Sequence, residues 1–192
     1  VVSYDDGTTV LVLVGAGGVG SIATQLLKKK TSARVVVTAS RPETRAWCET
    51  MGADFVIDHR QDLRAELTRI GLPRVDIVFA TTHTANYLSI LPEILRPFGH
   101  LVVIDDPATL DVVSFKRKAL SVHWELMFSK LLHDYRVESQ GKILTEIAAL
   151  VDAGALRTTR ATMFDGLTTE NLKQAHALGE TSGAMGKIVV TL

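Results

Sequence analysis

Short apolar runs alternate with amphipathic stretches along most of the chain. The runs are strand-sized, rich in β-branched residues and almost continuously hydrophobic, which is typical of strands covered on both faces of a sheet. They predict strands over 10–14, 33–39, 54–57, 75–80, 101–104 and 120–124.

Between these runs, apolar residues recur every three or four positions, which is typical of helices that pack on a sheet by one face. The pattern predicts helices over 19–30, 41–51, 63–70 and 85–95, the second beginning at a capping box of Ser40 and Glu43 and ending at Gly52. Repeated strand–helix units predict right-handed crossovers. The fold class is therefore α/β: a doubly wound Rossmann sheet of six parallel strands with helices on both faces.

A glycine-rich turn follows the first strand. It fits G-x-G-x-x-G with Gly15, Gly17 and Gly20. The first glycine permits a tight turn, the second lets the backbone approach a pyrophosphate, and the third lets helix pack on strand. Because free N–H groups and the positive end of the helix dipole then face the phosphates, we expect a dinucleotide site here that includes Gly18 and Val19.

The pattern changes after a helix predicted over 141–152. A strand over 160–164, a helix over 169–178 and a strand over 187–192 follow, and they are too short to form a domain. We therefore divide the chain into a dinucleotide-binding Rossmann domain, residues 1–155, and a C-terminal strand–helix–strand tail, residues 156–192.

Composition narrows the function classes. The 192 residues contain 21 basic and 21 acidic side chains, so no net field favours nucleic acid or an anionic membrane. No stretch resembles a signal peptide or a membrane-spanning helix. The single cysteine, Cys48, excludes an intrachain disulfide and favours a cytoplasmic setting, and we expect its thiol to be buried and inert.

The end of the second strand indicates which dinucleotide binds. An NAD enzyme usually places Asp or Glu about twenty residues beyond the glycine turn, for the ribose 2′-hydroxyl. This chain has Ser40 and Arg41 there, with Arg45 one helical turn later. Because guanidinium groups bind phosphate, we expect NADP(H) to be preferred over NAD(H). The alternative is that Ser40 only caps its helix and both arginines are solvated.

Loops at the carboxyl ends of other strands would complete the site. The expected lining residues are Asp58 and His59 beside the adenine, Thr81 and Thr82 near the nicotinamide ribose or pyrophosphate, and Ile104 and Asp105 near the carboxamide. His83, on the same side, is the histidine that we would test for a functional role.

Zinc needs Cys, His or carboxylate ligands that converge on one ion. With one cysteine and six scattered histidines, the chain shows no ligand-like spacing, and we expect no metal site in it. It also contains no P-loop and no Gly-x-Ser-x-Gly elbow.

From residue 10 to residue 192 the chain resembles the medium-chain dehydrogenase/reductase superfamily. Besides the glycine turn, the resemblance rests on Met51-Gly52-Ala53-Asp54-Phe55-Val56-Ile57-Asp58 and on Ala184-Met185-Gly186-Lys187-Ile188-Val189-Val190. The stretch over 115–128 is similar to a narrower branch, named zinc-binding alcohol dehydrogenase-like and similar to the quinone oxidoreductases.

The resemblance implies an oxidoreductase that moves hydride between NADP(H) and a carbonyl, alcohol, enone or quinone. Members begin with a chaperonin-10-like catalytic domain, to which their last residues return. We therefore expect this chain to be the cofactor half of a longer enzyme and to be inactive alone. Its tail would rejoin the absent domain, which would hold the catalytic residues, the small-molecule substrate and any zinc.

Two alternatives stay open. One is a non-catalytic nucleotide-binding module. The other is an S-adenosylmethionine-dependent methyltransferase, which shares the sheet and the glycine turn but expects an acidic residue where Ser40 stands.

The strand over 120–124 is expected at an edge of the sheet, where unpaired backbone groups invite a second copy. It contains no proline, and it alternates Leu120, Val122 and Trp124 with Ser121 and His123. Relatives in the superfamily are similar in dimerising through such an edge, so we expect a homodimer. The alternative is that residues 127–135 cover the edge.

Overall fold

A sheet of six parallel strands, in the order β3-β2-β1-β4-β5-β6, forms the centre of the described structure. The computed structural model describes residues 7–181 and 184–192. Its strands are β1 (Thr9–Leu13), β2 (Arg34–Thr38), β3 (Phe55–Ile57), β4 (Val75–Ala80), β5 (Leu95–Val103) and β6 (Ser121–Trp124). The strand order reverses between β1 and β4, which is where doubly wound sheets bind ligands. The predicted Rossmann sheet is confirmed.

Helices lie on both faces of this sheet. They are α1 (Gly18–Lys30), α2 (Pro42–Thr50), α3 (Leu63–Arg69), α4 (Leu91–Ile94), α5 (Ser129–Leu132), α6 (Glu138–Asp152) and α7 (Thr169–Glu180), with 3-10 turns at Thr84–Tyr87 and Val113–Lys118. No helix of the described residues is long and apolar enough to cross a membrane.

Strand β1 supplies side chains to both halves of the core. Val10 and Val12 pack in one cluster with residues of α1 and α2, whereas Leu11 and Leu13 pack in the other with residues of α3 and α4. All four are at most 2% exposed, and each fully buried side chain of this size contributes about 1.5–3 kcal/mol. The turn that follows β1 therefore stands on a rigid support.

The tail has the predicted strand, helix and strand. Strand β7 (Arg160–Phe164) pairs with β8 (Lys187–Val190) in a separate parallel sheet, against which α7 packs. Hydrogen bonds between distant parts of the sequence connect it to the first domain. Gly186 N donates to Ala16 O at 2.8 Å, and the amide of Gln25 bonds both backbone groups of Arg157. The tail is thus attached directly to the glycine turn and to α1.

The helix predicted over 85–95 is wrong. The structure has a 3-10 turn at Thr84–Tyr87 and a single helical turn at Leu91–Ile94 instead. Pro92 has no N–H and is tolerated in the first turn of a helix but not in its interior, so α4 begins beside it and the predicted continuous helix is interrupted. Strand β5 begins at Leu95, before the predicted strand over 101–104, and its pairing with β4 contains a shift of register.

The capping box predicted for Ser40 and Glu43 is also wrong. Helix α2 is capped by Arg41, whose N–H donates to Thr44 Oγ1 at 3.1 Å while the Thr44 hydroxyl donates back to Arg41 O at 2.9 Å. Because Thr44 takes the capping role, the Ser40 side chain is not needed to begin the helix.

Strand β6 is the edge strand, as predicted, and pairs with β5. Leu120 and Val122 pack against the core, while His123 Nε2 lies 3.0 Å from His100 Nδ1 on the opposite face. Trp124 is 58% exposed. The segment that follows is itself exposed at Met127, Phe128, Leu131, Leu132 and Tyr135. Dimerisation at this edge stays a prediction.

Candidate dinucleotide-binding site

The three motif glycines meet different surroundings. A Cβ on Gly15 would lie 2.6 Å from Val37 Cβ, and one on Gly20 would lie 2.7 Å from the backbone of Gly15. The fold itself therefore requires these two glycines. Among the described residues, a Cβ on Gly17 would meet nothing nearer than Val14 O, at 3.8 Å, so this part of the structure leaves open space there. Packing of the described residues therefore does not require a glycine at position 17.

Hydrogen bonds to Thr38 fix the beginning of the turn. Val14 N donates to Thr38 Oγ1 at 2.8 Å, and Gly15 N donates to Thr38 O at 3.1 Å. Val14 has a φ of 59°, a conformation that is strained for a β-branched side chain. Such strain is typical of functional sites, where the surrounding structure enforces it.

A cleft of about 480 Å³ opens at the carboxyl ends of β1 and β2. Gly17, Ser40 and Arg41 line it, together with His59 and Arg60 from the loop after β3. The 3-10 turn after β4 adds His83, Asn86 and Tyr87, and the tail adds Ala184. The structure thus brings the glycine turn, both residues after β2 and the loop after β3 together at the strand-order switch.

Two guanidinium groups stand at this cleft, each paired with a carboxylate. Arg41 Nε lies 2.9 Å from Glu43 Oε1, and Arg60 Nη2 lies 2.8 Å from Asp58 Oδ2. Hydrogen bonds from Arg60 lower the pKa of the Asp58 carboxyl to about 2. Arg60 Nη2 also donates to Ser40 O at 2.9 Å, which fastens the loop after β3 to the loop after β2.

The structure does not bring Arg45 to the cleft. Its guanidinium donates to Ala39 O at 3.2 Å and to Val56 O at 2.8 Å, and it thereby holds the ends of β2 and β3 together. Thr81 does not line the cleft either. Its hydroxyl donates to Leu13 O at 2.8 Å and connects β4 to β1.

Asp105 accepts hydrogen bonds from the backbone N–H and the hydroxyl of Thr84. Thr84 is fully buried, so Asp105 fixes the 3-10 turn that carries one wall of the cleft. Ile104 N donates to Ala80 O, and the Thr82 hydroxyl contacts His83 Nδ1 at 3.0 Å. Neither Ile104 nor Thr82 lines the cleft, and contact of these two residues with a cofactor stays a prediction.

Lys187 is a candidate that the sequence reasoning missed. A Cβ on Gly18 would lie 2.5 Å from Lys187 Cε, so the lysine side chain lies across the first residue of α1. Arg60, Asn86 and Tyr87 were missed as well. Lys187 belongs to the quoted C-terminal motif, but only the pairing of the tail with the turn, through a bridge between Gly17 and Gly186, places it here.

Cys48 is not among the residues that line this cleft. It is buried on α2, and burial raises the pKa of its thiol to about 12. The thiolate is therefore scarce at neutral pH, as expected for an inert thiol.

Comparisons with known proteins agree with this geometry. The profile of a family described as zinc-binding dehydrogenase matches residues 51–190. The zinc-type alcohol dehydrogenase-like protein SAS2087 of Staphylococcus aureus (strain MSSA476) is 37% identical over 190 residues, which are 98% of this chain and 56% of that protein.

Solved structures show the same architecture. A protein of Rhizobium etli CFN 42, provisionally described as a zinc-dependent alcohol dehydrogenase, is 43% identical and superposes with a TM-score of 0.90, covering 96% of this chain and 54% of its own. The mycobacterial protein Rv1454c, solved with NADPH, is 22% identical with a TM-score of 0.77 over 100% of this chain and 58% of its own, and supports the fold. The chain spans just over half the length of these relatives.

Proposed function

Because the chain belongs to the zinc-binding dehydrogenase family of the medium-chain dehydrogenase/reductase superfamily, we propose that it is the NADP(H)-binding part of an oxidoreductase. The whole enzyme would transfer hydride between this cofactor and a small carbonyl, alcohol, enone or quinone. Membership of this family argues against the methyltransferase alternative.

The observation that carries the choice of NADP(H) is the chemistry at the end of β2. An NAD site usually has a carboxylate that accepts hydrogen bonds from the ribose hydroxyls. Here Ser40 and Arg41 line the cleft, and Arg60 reaches Ser40 O from the other side. A 2′-phosphate is a dianion with three acceptor oxygens and matches hydroxyl and guanidinium donors.

The glycine turn supports binding of the pyrophosphate. Open space above Gly17 admits the phosphates, and the N-terminus of α1 offers backbone N–H groups. The Lys187 side chain crosses Gly18 at this point, so its ammonium group would add positive charge beside the pyrophosphate. The cofactor supplies the hydride, while these residues bind and orient it.

The described residues of this chain offer no set of ligands that fits zinc. Among residues 7–181 and 184–192, no three His, Cys, Asp or Glu side chains come together as ligands. We propose that any zinc of the whole enzyme is held elsewhere in it.

We also propose how the chain is completed and assembled. The tail, residues 156–192, would join the catalytic domain, and the open edge of β6 would pair with a second copy in the cytoplasm. The catalytic residues would then lie outside this chain.

Isothermal titration of the chain with NADPH and NADH tests the cofactor assignment. We expect NADPH to bind about tenfold more tightly or better, because only NADPH carries the 2′-phosphate. Equal or tighter binding of NADH would overturn the NADP(H) assignment, and binding of neither would overturn the site. Turnover of quinones or enals by the whole enzyme would separate an oxidoreductase from a non-catalytic module.

A further inference from the structure

The two ring nitrogens of His59 have different surroundings in the wall of the cleft. Nδ1 is buried and makes no hydrogen bond among the described residues. Nε2 also has no partner there but is not buried in this way, so it remains accessible on a ring that lines the cleft. Buried polar atoms are normally satisfied, and an exception of this kind asks for an explanation.

Burial of Nδ1 decides the protonation state of the ring. An imidazolium carries N–H groups on both nitrogens, and its Nδ1–H would be a buried donor without an acceptor. Accordingly, burial lowers the pKa of His59, although the Asp58 carboxylate opposes this shift. The neutral ring keeps its lone pair at Nδ1 and carries its proton at Nε2, which is therefore a donor towards the cleft.

The charged groups near His59 do not change this protonation state of its ring. The carboxylate of Asp58, on the same loop, pairs with Arg60. The carboxylate of Glu66 in α3 accepts a hydrogen bond from Asp58 N at 3.0 Å and pairs with Arg69. Arg41 of α2 and the polar groups of His83 and Tyr87 line the same cleft. None of these presents a carboxylate to Nδ1, since His59 Nδ1 has no bonding partner among the described residues.

The ligand group that fits is an anionic oxygen. The bond from Arg60 to Ser40 O places the loop of His59 beside the loop of Ser40 and Arg41. The cleft there offers a hydroxyl, guanidinium groups and the Nε2–H of His59. A cluster of donors is matched by an acceptor-rich group.

We propose that neutral His59 donates a hydrogen bond from Nε2 to an oxygen of the 2′-phosphate of NADP(H), and so helps to distinguish it from NAD(H). This inference rests on the proposed function. It assigns specificity to a residue of the β3 loop and not only to the residues after β2.

Titration with adenosine 2′,5′-bisphosphate and with 5′-AMP tests the assignment on the chain itself. We expect His59→Phe, which removes the donor, to weaken the bisphosphate about tenfold or more and 5′-AMP less than about twofold. His59→Gln, which keeps an N–H donor, should retain most of the bisphosphate affinity.

Each contrary result has a distinct meaning. Equal losses for both ligands would place the acceptor on adenine or ribose, and unchanged affinity would remove His59 from the site; either overturns the inference. A wild-type chain that does not prefer the bisphosphate over 5′-AMP would instead count against the proposed function.

Nitrogen-15 NMR of the wild-type chain gives an independent test that does not depend on a variant folding. At pH 7 the His59 ring should show the Nε2–H tautomer, and bisphosphate should shift the Nε2 signal while the ring remains neutral. An imidazolium spectrum in the complex at pH 7 would overturn the inference. The phosphate itself titrates near pH 6, so His59→Gln must show the same pH profile of bisphosphate affinity as the wild type.

Discussion

Arg41→Ala should weaken NADPH selectively, and the structure sets the size of the loss. A charge-assisted hydrogen bond contributes about 1.5–3 kcal/mol. In the free protein, however, Arg41 is paired with Glu43, and their side chains are 35% and 54% exposed. Giving up such a surface pair costs about 0.2–1 kcal/mol. The net loss should be about 1–2 kcal/mol, or about five- to thirtyfold in affinity for NADPH.

The substitution should leave the fold intact. Helix α2 is capped through the backbone of Arg41 and the side chain of Thr44, and both remain in the alanine variant. Arg34→Ala is the matched control, because Arg34 lies at the opposite end of β2 and its loss changes the net charge equally.

Titration calorimetry with NADPH and NADH gives the readout. NADH affinity should change less than about twofold, since NADH has no 2′-phosphate. Conversely, Glu43→Gln should tighten NADPH by up to about fivefold because it releases Arg41 from its pair. Equal losses of NADPH and NADH in Arg41→Ala would refute the argument, as would the same loss in Arg34→Ala.

The remaining predictions concern the turn, the tail, the edge and the metal. Gly17→Val should abolish dinucleotide binding while circular dichroism stays unchanged, because among the described residues a Cβ at this position meets nothing nearer than Val14 O at 3.8 Å. Unchanged NADPH affinity would remove the glycine-turn assignment. Lys187→Ala should weaken NADPH and NADH by the same factor, and a loss confined to NADPH would contradict a pyrophosphate contact. Glu125 N donates to Val103 O of β5, so the alternation along β6 directs the N–H of Val122 to the open edge. Val122→Pro should therefore shift a dimer to monomer in sedimentation. A wild-type monomer, or a variant that remains a dimer, would count against edge pairing. Metal analysis of the purified chain should return no stoichiometric zinc, and one tightly held ion per chain would reverse that expectation.

The fold was largely predictable because its signals are local. Strands β4 and β7 have the predicted bounds, and the switch in periodicity after β1 marks the start of α1. The predictions failed where a neighbouring residue opposes the local sequence pattern. Pro92 breaks a helix that the apolar spacing alone favours, and Thr44 replaces Ser40 as the partner that caps α2.

Part of the cleft lining was predictable from the spacing of the glycines and from the number of residues between the glycine turn and the end of β2. Gly17, Ser40 and Arg41 line the cleft as a result. The contributions of Arg60 and Lys187 depend on contacts with Ser40 O and Gly18, which no local pattern encodes. Arg45 was expected at the cleft because it lies one helical turn after Arg41. Its guanidinium instead donates to the carbonyl groups of Ala39 and Val56.

The bridge between Gly17 and Gly186 has a consequence for synthesis. The glycine turn emerges from the ribosome before the strand that carries Lys187, which follows only after the whole six-stranded sheet. Because domains generally begin to fold in the order in which they are made, a nascent chain can hold a formed sheet with an unfinished cofactor cleft. Dinucleotide would then bind as a late event that fastens two segments distant in sequence, and translation arrested within α7 would yield a folded sheet that retains little cofactor.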